Sequence, residues 1–196
     1  MTIFNLLQPF GASAARFFTN GVASSTKGVD YSVSYHIPND DLGDFNLTAS
    51  VNTNNLKITK TPASATTILP VPVSLFARQA VLRFQEGTPP YKVVLQNDWI
   101  KGNLGATLRS TFYGDVVSPG TLADGGADVH TGKRSVGDLE GRYNFPHDVT
   151  LAVGADNLFD GYPRQIPVAL NATGAAPFTS FGFDGRFVYG RLSMKW

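Results

Sequence analysis

The sequence predicts an all-β fold, in the form of part of the wall of an antiparallel transmembrane β-barrel with seven to eight strands. Three observations lead to this prediction. Apolar and polar residues alternate in several long segments, the charged residues of each segment share the polar positions, and short connections alternate with long ones. Successive side chains of a strand point to opposite faces, so this alternation separates an apolar face from a polar one. Such strands suit a wall between lipid and a wet lumen.

The alternation defines the predicted strands in chain order. They cover residues 31–37, 44–52, 92–99, 104–112, 138–145, 149–156 and 188–196, and the short run 16–20 is a weaker candidate before them. We expect five leucines on the convex, lipid-facing side: Leu47, Leu95, Leu108, Leu139 and Leu151. We expect Arg109, Glu140 and Arg142 on the concave side, and we expect the carboxylates Asp138 and Glu140 to form a ladder of salt bridges with Arg142.

The position of the charges is informative because an arginine that faces lipid at the bilayer midplane costs about 2–4 kcal/mol. None of the predicted strands places a charge on its apolar side between the strand ends. A soluble, half-buried sheet shows the same alternation, so this pattern alone leaves both environments open.

The connections favour the membrane. Short connections are predicted at residues 38–43, 100–103 and 146–147, and long Gly/Pro-rich ones at about 54–90, 114–136 and 160–185. Outer-membrane barrels have short periplasmic turns and longer extracellular loops. Aromatic residues also gather at both ends, as expected for two interfacial belts. Trp99, Phe145 and Trp196 fall at the short-turn end, and Tyr91, Phe112, Tyr113, Phe159 and Tyr162 at the long-loop end.

The composition excludes several other classes of protein. Of 196 residues, 42% are hydrophobic and only 16% charged, and the net charge of +1 argues against a nucleic-acid-binding protein. No cysteine is present, so thiolate metal sites and disulfides are excluded. No apolar run reaches the roughly 18 residues that a membrane-spanning helix needs. The first residues lack a basic start and an unbroken apolar run, so we expect the export signal to be absent from this chain.

Several segments, in the correct order, resemble TonB-dependent outer-membrane receptors. Asn157, Leu158, Phe159 and Asp160 look like the "NLFD" stretch near the end of these receptors. Residues 185–196 resemble their last strand and C-terminal assembly signal, carried here by Val188, Gly190, Leu192, Met194 and Trp196. Residues 17–30 are similar to an upstream loop that leads into a strand, and residues 108–116 also fit the family.

The resemblance implies that residues 16–196 form the C-terminal portion of a receptor barrel, after an irregular start at residues 1–15. The family's barrel has about 22 strands around a plug domain. Its function is the energised uptake of a large scarce nutrient, most typically a ferric siderophore, with cobalamins or oligosaccharides as further ligands. The implied location is the outer membrane of a Gram-negative bacterium.

The implied partners are outer-membrane lipid, the barrel-assembly machinery, and the remaining barrel and plug of the parent receptor. The TonB complex would act only through the N-terminal part of that receptor. Two features depart from the family: the plug with its coupling box has no counterpart in these residues, and Trp196 stands where the family usually has Phe. We therefore expect that this chain alone cannot transport.

Few residues are candidates for a functional site. The sequence shows no catalytic constellation, cofactor loop or metal-ligand cluster, so an enzyme is not predicted. Asp128, His130 and Arg134 lie in a predicted long loop and are candidates for ligand contact, although a solvated loop is the simpler interpretation. Tyr162 is a candidate for stacking on a ligand at the barrel mouth, and anchoring at the interface is the simpler interpretation there.

Three other interpretations remain at this point. A small self-contained outer-membrane barrel, either a pore or an adhesin, would need residues 16–20 to form a first strand that closes against the last. A soluble lipocalin-like barrel would turn its apolar face inward and bind a ligand, but it gives Trp196 no role. The chain could also be the product of a decayed gene without a present function.

Overall fold

The computed structural model describes residues 5, 7–11, 21–62, 76–166, 168, 174, 179–180 and 182–195. Within them, a 3-10 turn at Gln8–Phe10 is followed by nine strands and one α-helix. The elements are β1 (Ala23–Ile37), β2 (Asp44–Lys60), α1 (Arg78–Glu86), β3 (Tyr91–Lys101), β4 (Leu104–Tyr113), β5 (Val117–Ser118), β6 (Val129–His130), β7 (Arg134–Phe145), β8 (Val149–Asp156) and β9 (Phe187–Met194).

Seven of the strands form one antiparallel sheet in the order β1-β2-β3-β4-β7-β8-β9. Strands that are consecutive in this order pair with each other. The β5–β6 hairpin forms a separate two-stranded sheet in the connection that leads along the chain from β4 to β7. The predicted antiparallel meander of seven to eight strands is therefore confirmed, with seven strands among the described residues, and this sheet is open, with β1 and β9 at its edges. Residues 16–20, the weaker candidate for a strand, lie outside the described residues.

One face of the sheet is apolar on every strand, and we call it the apolar face. Leu47 lies opposite Asn97, Asn97 opposite Leu108, and Leu108 opposite Leu139. Because directly opposed residues share a face, the apolar face carries the odd-numbered residues of β1, β2, β3, β7 and β8 and the even-numbered residues of β4 and β9. Charged residues occur on it only near the strand ends, at Lys27, Lys57 and Lys101.

The opposite side, the polar face, carries the other charges of the strands. The five predicted leucines lie on the apolar face, and Arg109, Glu140 and Arg142 lie on the polar face, so the predicted separation is confirmed. Which of the two faces is convex stays a prediction.

The apolar face is not covered by another layer of the described structure. Tyr35 is 67% exposed and Leu192 69% exposed, and large apolar side chains of every strand between them are exposed as well. The buried hydrophobic residues of the described part are instead Val116, Val117, Ala152 and Ile166. Since three of these lie outside the seven-stranded sheet, the compact packing is in the long connections rather than on the sheet.

The short turns form where the sequence predicts them. After β1, the Asn39 side chain accepts hydrogen bonds from the N–H groups of Asp41 (3.0 Å) and Leu42 (2.6 Å), which closes the turn before β2. Between β7 and β8, His147 (φ 65°) and Asp148 (φ 57°) both adopt the left-handed conformation. Two consecutive residues of this kind give the tight turn that matches strand twist.

The long connections are more ordered than the sequence suggests. The first, predicted at about 54–90, begins later because β2 runs to Lys60, and it contains α1, which the alternation argument missed. The second contains the β5–β6 hairpin, and Arg134 is the first residue of β7 rather than a loop residue. Helix α1 and the β5–β6 hairpin contact each other across the two connections, and strand periodicity carries no information about such contacts.

Candidate functional site

A network of charged side chains crosses the polar face and is centred on Glu140. Asp98, Thr107, Glu140, Gly154 and Tyr189 lie directly opposite one another on β3, β4, β7, β8 and β9, and so form one row. The Tyr189 hydroxyl donates to Glu140 Oε2 (2.9 Å), although Gly154 stands between them. The Thr107 hydroxyl donates to Asp98 Oδ1 (2.5 Å). Side chains of this row therefore join β3 to β4 and β7 to β9, in addition to the backbone hydrogen bonds of the sheet.

Arginines complete this network from the neighbouring row. Arg191 of β9 donates to both oxygens of Glu140, at 3.1 and 3.0 Å. Arg142 donates to the Thr107 hydroxyl (2.8 Å) and lies 4.0 Å from Glu140 Oε1. The predicted ladder between Glu140 and Arg142 is thus part of a wider arrangement, in which the shorter ion pair to Glu140 comes from Arg191.

A second group of charges lies beside the first. Arg109 Nε donates to Asp138 Oδ2 (2.8 Å), and an Arg109 guanidinium nitrogen is 4.0 Å from Asp156. The two groups border a polar cavity of about 280 Å³. The cations that line this cavity are paired with its anions, and its lining offers no nucleophile activated by a base.

The NLFD motif forms a turn that fastens the end of β8 to its neighbours. Asn157 is 8% exposed and adopts φ 51°. Its side chain donates to the Gly161 carbonyl (2.7 Å) and accepts from the Gly161 N–H (2.9 Å), while its own N–H donates to Asp138 Oδ1 (2.8 Å). Leu158 N–H donates to the Gly137 carbonyl on β7 (2.7 Å).

The same turn also holds the approach to β9. Asp160 adopts φ 57° and accepts from the Arg186 N–H (2.8 Å), just before β9 begins. The Tyr162 hydroxyl and Asp160 Oδ1 crowd Gly185 so closely that a Cβ there would lie 2.2 and 2.4 Å from them. Tyr162 is 58% exposed and Phe159 80% exposed. The motif therefore has a structural role in this chain, and stacking of Tyr162 on a ligand stays a prediction.

The predicted loop residue Asp128 joins the two long connections. It forms an ion pair with Arg78 of α1 and accepts from the Gly120 N–H (2.8 Å). Next to Arg78, the Gln79 side chain donates to the Gly120 carbonyl (2.6 Å). The hydrogen bond from Arg78 holds the pKa of Asp128 below its usual range. We call these contacts the Arg78–Asp128 latch.

His130 is held within the second connection. Its Nδ1 lies 2.6 Å from Asp115 Oδ2, and its carbonyl accepts from Arg164 (2.7 Å). Burial raises the pKa of Asp115, but the hydrogen bonds from His130 and from the Gly132 N–H (2.6 Å) outweigh it, so that the pKa lies below its usual range. Asp128 and His130 thus have internal partners, and their contact with a ligand stays a prediction.

Arg134 and the C-terminal signal complete the predicted residues. Arg134 lies on the polar face opposite Tyr113, and its Nε is buried without a hydrogen-bond partner. Val188, Gly190, Leu192 and Met194 all lie on the apolar face of β9. Trp196 lies outside the described residues.

Sequence reasoning missed Arg78, Tyr189 and Arg191 as members of these clusters. Tyr189 and Arg191 occupy polar positions of the alternating segment 188–196, so the alternation already indicated that they lie on the polar face. Nothing local indicated that Arg78 would meet a residue fifty positions away. Among the described residues, no group of three metal-ligating side chains is present, and no helix is long and apolar enough to cross a membrane.

Comparison with known proteins does not identify a family. No protein-family model matches the chain, and a search of curated proteins finds no match either. The likeness to TonB-dependent receptors therefore rests on the motifs of the sequence alone.

Proposed function

We propose that this chain is the C-terminal part of the barrel wall of a TonB-dependent outer-membrane receptor that takes up a large scarce nutrient, most typically a ferric siderophore. The observation that carries the proposal is the uncovered apolar face of a seven-stranded antiparallel meander, opposite a face that carries the charge network. In water, so large an apolar surface would be strongly unfavourable, because each Å² of it costs about 25 cal/mol. In a bilayer it is the surface that lipid covers.

The height of the apolar face fits the proposal. On β1 it extends from Val29 to Ile37, nine residues that span about 30 Å along the strand. With the tilt of about 35–45° found in outer-membrane barrels, this becomes about 23 Å, close to the band of about 25 Å that such barrels present to lipid. Aromatic side chains of this face border both ends, with Phe45, Trp99 and Phe145 at the short turns and Tyr91 and Phe112 at the long connections.

The direction of the edge strands argues against closure of the seven described strands onto themselves. Neighbouring strands are antiparallel throughout, so β1 and β9, as the first and seventh strands of the sheet, run in the same direction. Direct closure of β9 onto β1 would create a parallel pair that the sheet has nowhere else. An odd number of further strands allows antiparallel closure, and unpaired edges in hydrocarbon cost several kcal/mol for each backbone group.

In this proposal the chain supplies wall and external connections. The polar face, with Glu140 and its arginines, would meet the plug or the ligand inside the lumen. The long connections, tied together by the Arg78–Asp128 latch, would lie at the outer surface. The remaining barrel, the plug and the coupling to the TonB complex would belong to other parts of the receptor, and the barrel-assembly machinery would insert it.

The soluble lipocalin-like alternative is tested by asking what touches the apolar face. Trp99 lies on this face near the short turns and donates to the Leu42 carbonyl (2.7 Å). With Trp196→Phe as background, Trp99 is the single tryptophan of the chain. After reconstitution into vesicles whose acyl chains are brominated near the headgroup, we expect strong quenching of its fluorescence. A soluble barrel would leave the emission unchanged.

A matched pair of substitutions checks the face directly. Leu95→Arg places a charge on the apolar face, and Gln96→Arg places it one residue away on the polar face. We expect Leu95→Arg to make the free energy of membrane insertion less favourable by about 2–4 kcal/mol, measured from the inserted fraction. We expect Gln96→Arg to leave this free energy nearly unchanged. Equal effects of the two variants would contradict the proposal.

The transport role needs a separate test in the source organism. Deletion of the gene should abolish growth on one ferric siderophore as the sole iron source and leave growth on ferrous iron intact. Normal growth on every siderophore tried, together with correct outer-membrane insertion, would assign the wall to another kind of barrel.

A further inference from the structure

The β1–β2 hairpin projects beyond the rest of the sheet, and apolar residues occur on both of its sides. The last pair between β2 and β3 joins Thr53 to Tyr91, whereas β1 and β2 continue to pair as far as Ala23 and Lys60. In this projection β2 places the apolar Leu56 and Ile58, both half-buried, on the polar side, opposite Thr26 and Ser24 of β1. Helix α1 packs there, and its Gln85 accepts from the Ile58 N–H (3.3 Å).

The other side of the projection continues the apolar face with polar and basic residues. Lys27 lies opposite Asn55, and Ser25 lies opposite Lys57, so all four side chains share that face and all four are exposed. Lys27 and Lys57 are diagonal neighbours, whose Cα atoms in such a ladder stand about 7–8 Å apart. Neither takes part in the ion pairs found among the described residues. We call these four residues the basic strip.

We propose that the basic strip binds the phosphate groups of lipids in the outer leaflet. This inference rests on the proposed function, because it requires lipid against the apolar face. The strip begins two residues beyond Val29, where that face ends on β1. Two residues of strand cover about 7 Å, and the headgroup region outside a hydrocarbon core extends about 5–8 Å on each side. The ammonium group of Lys27 therefore lies at headgroup depth on the side that faces lipid. Lys57, opposite Ser25, lies two residues farther out, and its long side chain can bring its ammonium group back to that layer.

The chemistry of the strip matches a phosphate monoester or diester. Two lysines that form no ion pair within the described part of the chain supply the charge, and the hydroxyl of Ser25 and the amide of Asn55 add hydrogen-bond donors beside them. Long lysine side chains also lie along the apolar surface while their ammonium groups reach the polar layer. A lysine near an anionic surface strengthens binding by about fivefold, so two of them give about thirtyfold.

The test compares vesicles that differ only in phosphate charge. The full chain is mixed with zwitterionic phosphatidylcholine vesicles and with vesicles that contain one part in five of phosphatidic acid, and the bound fraction is measured by flotation. We expect binding to both, about thirtyfold tighter to the second at low salt. Lys27→Gln with Lys57→Gln should remove this preference. Lys92→Gln is the control for loss of a positive charge, because Lys92 lies on the polar face opposite Asn52, three residues closer to the bilayer centre than the Lys27–Asn55 pair.

The outcomes separate this inference from the proposed function. Binding to both vesicles with equal affinity, or a preference that survives in the double variant, would overturn the basic strip and leave the membrane wall intact. Absence of binding to either vesicle would contradict both. Competition by millimolar inorganic phosphate as effective as that by the lipid would assign the strip to free phosphate and also overturn the inference.

Discussion

At the scale of single residues, the network on the polar face depends on glycines that make room for long side chains. A Cβ at Gly154 would lie 2.6 Å from Tyr189 Cζ, and a Cβ at Gly105 would lie 2.6 Å from Arg142 Nε. Each glycine is paired directly with the side chain that fills its place. Tyr189 can cross β8 to reach Glu140 because Gly154 has no side chain.

The first prediction concerns this crossing. Gly154→Ala should displace Tyr189 from Glu140 and lower the free energy of unfolding by about 1–3 kcal/mol, as measured by urea titration in detergent micelles. Gly141→Ala is the control, since a Cβ there meets no atom within 4 Å, and it should be neutral or slightly stabilising. In a Tyr189→Phe background the effect of Gly154→Ala should shrink. An equal loss in both backgrounds would disprove the role of the hydrogen bond.

The second prediction concerns Asn157, whose side chain makes two hydrogen bonds to Gly161 in a turn with φ 51°. Asn157→Ala should lower the free energy of unfolding by about 1–3 kcal/mol, because buried partners lose their bonds and alanine strains the turn. Asn157→Gly keeps the left-handed conformation without strain and so reports the hydrogen bonds alone. If Asn157→Gly is as stable as the wild type, the side chain does not hold the turn.

At the scale of elements, the two long connections form one ordered unit. Helix α1 from the first connection packs against β2 and against β5 of the second. Val116, fully buried, and Thr131, 5% exposed, lie at the base of the β5–β6 hairpin, where the Thr131 hydroxyl accepts from the Val116 N–H (3.2 Å). The connections thus have a small core of their own, and the Arg78–Asp128 latch joins them at its edge.

The third prediction follows from the lowered pKa values of Asp128 and Asp115. Each folded-state pKa lies below the ordinary value of 3.8. Their contribution to the stability of the hairpin is therefore complete above about pH 4 and is lost as the pH falls through the lower, folded-state pKa values. Amide hydrogen exchange of residues 117–130, corrected for the intrinsic rate, should be constant from pH 7 to about pH 4 and should accelerate as the pH falls further.

Two substitutions, one in the latch and one far from it, test this prediction. Asp128→Asn should already accelerate exchange at pH 7 and reduce the further change in acid, because the charged partner of Arg78 is gone. Asp40→Asn, in the short turn at the opposite end of the sheet, should leave the response as in the wild type. An unchanged acid response in Asp128→Asn would mean that the latch does not control the hairpin.

At the scale of the whole molecule, the sheet is amphipathic and open. Its stability therefore depends on what covers the apolar face and what pairs with β1 and β9. In the proposed function, lipid covers the apolar face, and further strands of the receptor pair with β1 and β9. The C-terminal strand is then the element that the assembly machinery must recognise before either contact exists.

The fourth prediction tests that role. Val188, Leu192 and Met194 share the apolar face of β9, and the alternation predicts the same face for Trp196. Trp196→Ser should reduce the amount of the protein in the outer membrane, measured by quantitative blotting of fractions, without changing ligand affinity per inserted molecule. Normal abundance with lost affinity would move Trp196 from assembly to ligand binding.

The fold was largely predictable because its main signal is local. Alternation over eight or more residues assigns each side chain to a face wherever the strand later pairs, and Pro, Gly and Asn mark the tight turns between neighbours. This is why the seven strands, their order and the faces of Leu108, Arg109 and Glu140 agree with the sequence prediction. The start of β7 at Arg134 and the extension of β2 to Lys60 were missed, since polar strand ends carry no alternation.

Local alternation and turn residues are therefore enough to predict the seven strands of the sheet, the short turns and the separation of an apolar from a polar face. Which polar residues meet depends on the tertiary structure: Tyr189 and Arg191 with Glu140, Asn157 with Asp138, and Arg78 with Asp128. The physical reason is that a face is fixed by the backbone of one strand, whereas these partners are set by strand register and by packing between distant connections. Such contacts form only when segments 19 to 51 residues apart come together.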